Sequence, residues 1–329
     1  MSGLLCRLFC RAFTLCLLGV MVVSEVQATG FPERAVTIVV PGPAGGSGDI
    51  VTRLVAQELS SLWGQPVLVE NKPGAGGIIG AQAALAAPHD GYTLFMGNTG
   101  PNAINYTLYA KLPYTTTDFV ALSDVLVFPN VLVVRSDSPY HSVTELVAAS
   151  KKEPHGLTFA SSGSGQTTHL SGELFKLRTG ANVLHVPYKG ANLGMQAVLS
   201  GETDFMFDNY LTSKAQIKEG KLRALAVTSA QRIPQAPTLP TMAEAGVPGM
   251  EVAGWFGLFA TAGTPPERLD AVYKALATVL RKSEMADRLR QLGGSKDSVS
   301  TPAQFEVFVR SEREQWGRAV EAAGLKGSL

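Results

Sequence analysis

Along this chain the spacing of apolar residues switches repeatedly from strand-like to helical, and each early switch falls on a glycine-rich turn. Residues 37–40 are a β-branched run that reads as a buried strand, and residues 41–48, PGPAGGSG, are a turn of prolines and small residues. From Asp49 on, Val51, Leu54, Val55, Leu59 and Leu62 recur at helical spacing as one apolar stripe. A strand, a turn without bulky side chains and a helix start together aim unpaired backbone N–H groups at one small volume. Such a volume attracts an anion without any Lys or Arg in the turn. The expectation is that it holds one end of a small carboxylate.

The same pattern repeats. Residues 67–69 read as a strand, 74–80 (GAGGIIG) as a second glycine-rich loop and 81–87 as a helix that stops before Pro88. A third strand, 91–96, ends in the polar turn 97–101. Further on, 131–134 (VLVV) is a buried-looking strand, and 157–160, the small-residue turn 161–168 and the helix 169–177 repeat the opening pattern. HVPYKGANLGMQAVLSG repeats it again, with its turn at Lys189-Gly190. Short strands at 205–207, 225–227 and 255–260 follow, with the proline-rich stretch 232–240 as a loop between the last two. Capping boxes stand at Ser142/Glu145, Thr264/Glu267 and Thr301/Gln304, the last two opening long helices assigned no chemistry. Alternating strands and helices predict an α/β fold with a mostly parallel sheet covered on both faces, its loops gathered at one edge. Glycine-rich turns in both halves predict two similar lobes facing each other.

Composition narrows this reading without changing it. The 329 residues are 45% hydrophobic and 17% charged, a globular balance with room for about two domains. Residues 1–28 read as an export leader: Arg7 and Arg11 precede the apolar run 12–23, and Val26-Gln27-Ala28 offers small residues before a cut near Ala28. Leu15 before Cys16 does not suit a lipid anchor. All three cysteines, Cys6, Cys10 and Cys16, lie in that leader, so the mature chain is expected to lack disulfides and Cys-ligated metals. Without the leader 26 basic residues balance 26 acidic ones, which gives no footprint for nucleic acid.

Sharper chemistries fail on spacing. Gly48 is followed by Asp49 rather than Lys-Ser/Thr, so the first turn is not a nucleotide P-loop, and Ile79 and Thr168 stand where dinucleotide fingerprints need glycine. Ser162, Ser164, His169 and Asp208 supply the residue types of a hydrolase triad, but no Gly-x-Ser-x-Gly elbow accompanies them. The five histidines are scattered without metal-ligand spacing. What remains is anion binding by backbone amides, oriented by Ser47, Asn98, Thr99, Ser162, Gln166 and Thr167.

The ordered segments PGPAGGSGDIVTRLVAQEL, VENKPGAGGIIG, DGYTLFMG, SGSGQTTHLSGELF, HVPYKGANLGMQAVLSGETDFMFDN and WFGLFATAGTP, with TPAQF opening the last helix, carry a resemblance. With them the chain resembles the periplasmic substrate-binding receptors of tripartite tricarboxylate transporters, the Bug family, over essentially all of the mature sequence. The resemblance implies a type II periplasmic-binding-protein fold, two α/β lobes joined by two crossing strands near 128–134 and 252–260. Lobe 1 would comprise 29–128 plus 253–329, and lobe 2 would comprise 129–252. It implies a monomeric, non-enzymatic receptor without cofactor or metal. Its ligand would be a di- or tricarboxylate, acidic amino acid or aromatic acid, and its partner a membrane permease; a solute sensor docking on a receptor kinase is the alternative. Matching site positions are Ala44, Gly45, Gly46, Ser47 and Asp49 in the first turn and Ala75, Gly76 and Gly77 in the second. Ser162, Gly163, Gln166 and Thr167, with Asp208, would face them. Ser47-Gly48 and Gln166 depart from the family's usual residues, which bears on ligand identity.

Overall fold

Nine strands carry the architecture of the described residues, and one of them is much longer than its sequence pattern announces. The computed structural model describes residues 30–294 and 299–329; the leader reading and the three cysteines fall outside them. Residues 34–329 form one compact unit, and of the preceding unit only residues 30–33 are described, without helix or strand.

The first half is built on β1 (Val36–Val40), β2 (Val67–Asn71) and β3 (Thr93–Asn98), with β1 pairing parallel to both neighbours. Helices α1 (Ser47–Trp63) and α2 (Ile78–Leu85) connect them, and a single 3-10 turn, Ala75–Gly77, precedes α2. β3 is followed by the wide helical turn Gly100–Ile104 and the short α3 (Asn105–Leu108).

β4 then runs from Phe119 to Arg135. Its early part pairs antiparallel with β9 (Ala253–Thr261) as far as Pro129↔Ala253, and its late part pairs antiparallel with β7 (Phe205–Asn209) from Asn130↔Asn209 onward. The partner change falls at Pro129, which has no N–H to give to a ladder. Thr228 covers the junction, its hydroxyl accepting from the Asn130 amide and donating to the Val252 carbonyl.

The second half is built on β5 (Leu157–Ser161), parallel to β6 (Val183–Pro187) and β7, with β8 (Leu222–Val227) antiparallel to β4. Its helices are α4 (Val143–Lys152), α5 (Thr167–Thr179), α6 (Ala191–Ser200) and α7 (Tyr210–Lys218). α8 (Pro266–Leu280), α9 (Ser283–Gln291) and α10 (Pro302–Ala322) complete the chain.

The sheet order is β2-β1-β3-β9-β4-β7-β5-β6. It is mixed rather than mostly parallel, because β4 and β9 run against every strand they touch. The core is aromatic. Phe159, Phe175, Phe205 and Phe207 pack under α5, while Phe95, Trp255, Phe259 and Phe305 pack where β3 and β9 meet α10.

Two of the three expected capping boxes differ from the third. Ser142 accepts from the Glu145 amide and Thr301 from the Gln304 amide, the latter as a full reciprocal box. Thr264 does not cap: its hydroxyl donates to the Thr261 carbonyl, and α8 begins at Pro266 after Pro265. Two consecutive prolines move the helix start past the hydroxyl's reach.

Candidate functional site: a cavity walled by uncapped helix starts

α1, α2, α5, α6 and α7 begin at Gly46, Gly77, Gln166, Gly190 and Asn209, none with a side chain bonded to its first amides. All five of those residues line one cavity of about 800 Å³. A helix leaves its first amides without intrahelical partners and carries roughly half a positive charge at that end. Five such ends around one volume favour negative charge there, with Lys189 as the one basic side chain among the lining residues.

The turns that bring them there are held by their own bonds. In the first, Asp49 accepts from the Gly45 amide at 2.9 Å and from Arg53 at 2.9 and 3.0 Å. Arg53 also reaches Asn71, whose amide donates to the Gly42 carbonyl. Burial works against the Asp49 charge, but the Arg53 guanidinium and the Gly45 amide outweigh it and hold the carboxyl below its ordinary range. In the second turn Gly76 has φ +62°, and a Cβ there would lie 3.1 Å from the Ser164 carbonyl of the opposite turn. Ala75 beside it holds a left-handed φ of +46°, a sparsely populated conformation for a residue with a Cβ.

The third turn rests on two imidazoles. Ser161 lies 2.6 Å from Nε2 of His185 and accepts from the Gly163 amide. Nδ1 of His169 accepts from the Gly165 amide at 3.4 Å. The rings stack with centroids 4.0 Å apart, and burial holds both neutral, pushing His169 down to about 4 and His185 to about 3. Glu173 joins them, with ligand atoms of all three within 4.8 Å of one another, a cluster invisible in linear spacing. Stacked rings set their nitrogen lone pairs side by side, and an Nδ1 that accepts an amide leaves its proton on Nε2. That geometry suits a buttress behind the turn.

Two hydrogen bonds cross the cavity between the halves. Gln166 Nε2 donates to the Gly76 carbonyl at 3.1 Å, and Asn209 Nδ2 donates to Ser47 Oγ at 2.7 Å.

Of the residues proposed from the sequence, Gly46, Ser47, Ala75, Gly76 and Gly77 line the cavity, as do Asn98 and Thr99 at the end of β3. Ser162, Gly163, Gln166 and Thr167 line it from the other half. Four are placed elsewhere. Ala44 and Gly45 are exposed without lining it, and Asp49 is committed to its own turn. Asp208 is fully buried, bonded to Thr212 and Ser213, and burial pushes its carboxyl up to about 6. Its neighbour Asn209, where β7 ends, lines the cavity instead. The triad types do not assemble either: Ser162 pairs with Thr168, and His169 with the Gly165 amide.

Sequence reasoning missed Tyr188, Lys189 and Gly190, although the repeated strand-turn-helix pattern at HVPYKG marked them. It also left out Met96, Phe128, Trp255 and Phe256, buried strand residues that back the cavity and read as ordinary strand core. The Trp255 indole is held from behind, its N–H donating to Glu312 at 2.9 Å.

A mixed α/β sheet whose halves share one long strand, with helix starts converging on a cavity, defines the class of periplasmic binding proteins. Comparison with known proteins gives the family: the profile described as tripartite tricarboxylate transporter family receptor matches residues 51–325, and the chain belongs to that family. BugT of Bordetella pertussis is 34% identical over 307 residues, 93% of this chain and 94% of its own. An R. palustris structure with adipate is 36% identical with a TM-score of 0.86, over 89% of this chain and 98% of that one. MatC from Rhodopseudomonas palustris with bound malate is 31% identical with a TM-score of 0.81, over 88% and 100%. No helix among the described residues is long and apolar enough to cross a membrane.

Proposed function

We propose that the protein is an exported receptor that captures a small carboxylate and hands it to the permease of a tripartite tricarboxylate-type transporter. Within the compact unit 34–329, the residues up to 128 with those from 253 on form one lobe and 129–252 the other, hinged where β4 changes partners at Pro129. The observation that carries this reading is the convergence of five uncapped helix starts on one cavity. Two or three of those amides on a carboxylate are charge-assisted bonds worth roughly 1.5–3 kcal/mol each. The adipate and malate held by two similar structures support the ligand class. The bonds Gln166–Gly76 and Asn209–Ser47 are what a closed form needs, so ligand seated on one lobe would shift the population toward closure. The permease recognises that closed form, and no bond of the ligand is broken.

Gly163 tests the reading. Its φ of +128° excludes ordinary side chains, and a Cβ would lie 3.3 Å from the Tyr188 carbonyl. A thermal-shift screen of small acids, from malate and adipate to aryl acids, identifies a binder; at 100 times its dissociation constant it adds about 2.7 kcal/mol of stability. Gly163→Val is expected to weaken that binder at least 100-fold by calorimetry with an unchanged circular-dichroism spectrum. Near-wild-type affinity in a folded variant overturns the reading.

A further inference from the structure

We infer that the acid this cavity selects carries a sizeable apolar body and no ammonium group: an aryl- or longer alkyl-carboxylate, not a four-carbon hydroxy-diacid or an amino acid. The inference rests on the carboxylate reading above and names the rest of the molecule.

Size is the first argument. The cavity keeps about 800 Å³ while Gln166–Gly76 and Asn209–Ser47 already join its two sides. That lies in the range of roughly 300–1,000 Å³ that encloses drug-sized ligands. A malate-sized solute would leave most of it to water against apolar walls.

Those walls are the second argument. Phe128 of β4 and Phe256 of β9 set their rings 5.0 Å apart at 31° with a narrow open margin at the cavity, and the fully buried Met96 and Trp255 back them. Ile79, close after Gly77 in α2, is 47% exposed while lining the cavity. A large aliphatic side chain left open inside a recess is covered only by an occupant with apolar surface. An aromatic ring lying between Ile79 and the open margin of the Phe128–Phe256 pair would gain edge contact with the rings as well as burial.

Charge is the third. Among the described residues no Asp or Glu lines the cavity, and the one charged side chain in its wall is Lys189, exposed at the edge. The acids beside it are committed: Asp49 to Arg53, Asp208 to Ser213 and Thr212, and Glu312 to the indoles of Trp255 and Trp316. An ammonium group would therefore meet five positive helix ends and one lysine, with no acidic side chain to answer it. A carboxylate meets the same field favourably.

Matched probes separate these arguments by calorimetry on the purified protein. 3-Phenylpropionate is expected to bind at least 30-fold tighter than malate and at least 100-fold tighter than phenylalanine, which adds only an ammonium to the same body. Ile79→Ser, at a half-exposed position that leaves the fold intact, is expected to weaken 3-phenylpropionate at least fivefold. Malate binding as tightly as 3-phenylpropionate, phenylalanine within fivefold of it, or an unchanged affinity in Ile79→Ser overturns the inference and leaves the carboxylate reading standing. Binding of the neutral 3-phenylpropanamide as tightly as the acid, or of no acid at all, overturns the carboxylate reading itself.

Discussion

Among the described residues the helices of eight residues or more start in two different ways, and where they do so divides the molecule. Away from the cavity, α4 and α10 begin at Ser142 and Thr301, whose hydroxyls close on the Glu145 and Gln304 amides. α8 and α9 have no such cap, but each carries a glutamate in its first turn, Glu267 or Glu284. At the cavity five helices start with neither device, except that α1 has Asp49, and Asp49 is spent on Arg53 and Gly45. A cap or a first-turn carboxylate would satisfy the same amides that an anionic ligand needs. The difference teaches that the glycines of these turns do more than let helices pack on strands. On the proposed carboxylate reading, Gly46, Gly77 and Gly190 keep the positive ends of α1, α2 and α6 open.

Giving the cavity the outer kind of start should break it. Gly46 has φ −76° and ψ 168°, extended backbone that any residue adopts, and an added Cβ would lie 3.1 Å from the Pro43 carbonyl, so the turn must give slightly. Gly46→Asp places a capping carboxylate on the α1 amides. We expect the affinity for any acid that binds the wild type to fall at least 100-fold in calorimetry, while thermal stability holds or rises. An affinity within threefold of wild type would remove the distinction between the two kinds of helix start.

Behind the cavity, Asp208 offers a second test of where negative charge is tolerated. Its carboxyl is raised from the ordinary value of 3.8 to about 6 by complete burial, against the hydroxyls of Ser213 and Thr212. The folded state thus holds the proton more tightly than the unfolded one. The stabilisation is fully present below about pH 4 and is lost as pH rises through 6. Asp208→Asn should lack this dependence. Between pH 5 and 7.5 the wild type should lose on the order of 1 kcal/mol relative to the variant, read as the difference between two urea-denaturation series. The buried pair His169 and His185 is common to both proteins and cancels. Parallel series would mean that the carboxyl is ionised at no cost.

The sequence made the turns legible because each one is a change of period across glycine, a signal carried by backbone chemistry alone. It did not make Asn209 legible. Every residue of β7 is buried, so alternation cannot say which side chain meets the cavity, and the charged Asp208 drew attention from the amide beside it. Most of β4 was hidden too: register shifts between Ala121 and Ser123 and between Asp124 and Leu126 break the alternation, and Pro129 argues against a strand. Its late part, VLVV, was plain because both faces there are covered. The antiparallel crossings at β4 and β9 follow from long-range pairing, which no local period encodes. Phe128 and Phe256 were read as core for the same reason that they suit an apolar wall.

At the outer starts the caps should matter to the fold and not to the ligand. Thr301→Ala removes the hydroxyl that accepts from the Gln304 amide and also donates to the Gln304 side chain, while the reciprocal bond from the residue's own backbone amide stays. A loss of about 1 kcal/mol is expected in urea denaturation, with acid affinity unchanged. An affinity change approaching that of Gly46→Asp would show that the two regions are not separable.

The smallest expected effect falls on one of the two bonds that cross the cavity. Gln166 begins α5 without capping it, and its amide instead donates to the Gly76 carbonyl in the opposite turn. On the proposed two-lobe closure, a neutral hydrogen bond of this kind contributes about 1 kcal/mol, and only in the closed form. Water replaces part of it when the lobes part, so Gln166→Ala should cost about threefold in apparent affinity through a smaller closed population. Stopped-flow kinetics separates this from a direct role in holding the ligand. Without a latch between the protein's own halves, the dissociation rate rises by a similar factor for every acid that binds, whatever its body. Removing a group that touches the ligand would instead weaken some acids and spare others. An effect confined to one acid would assign Gln166 to recognition and leave closure to Asn209 and Ser47.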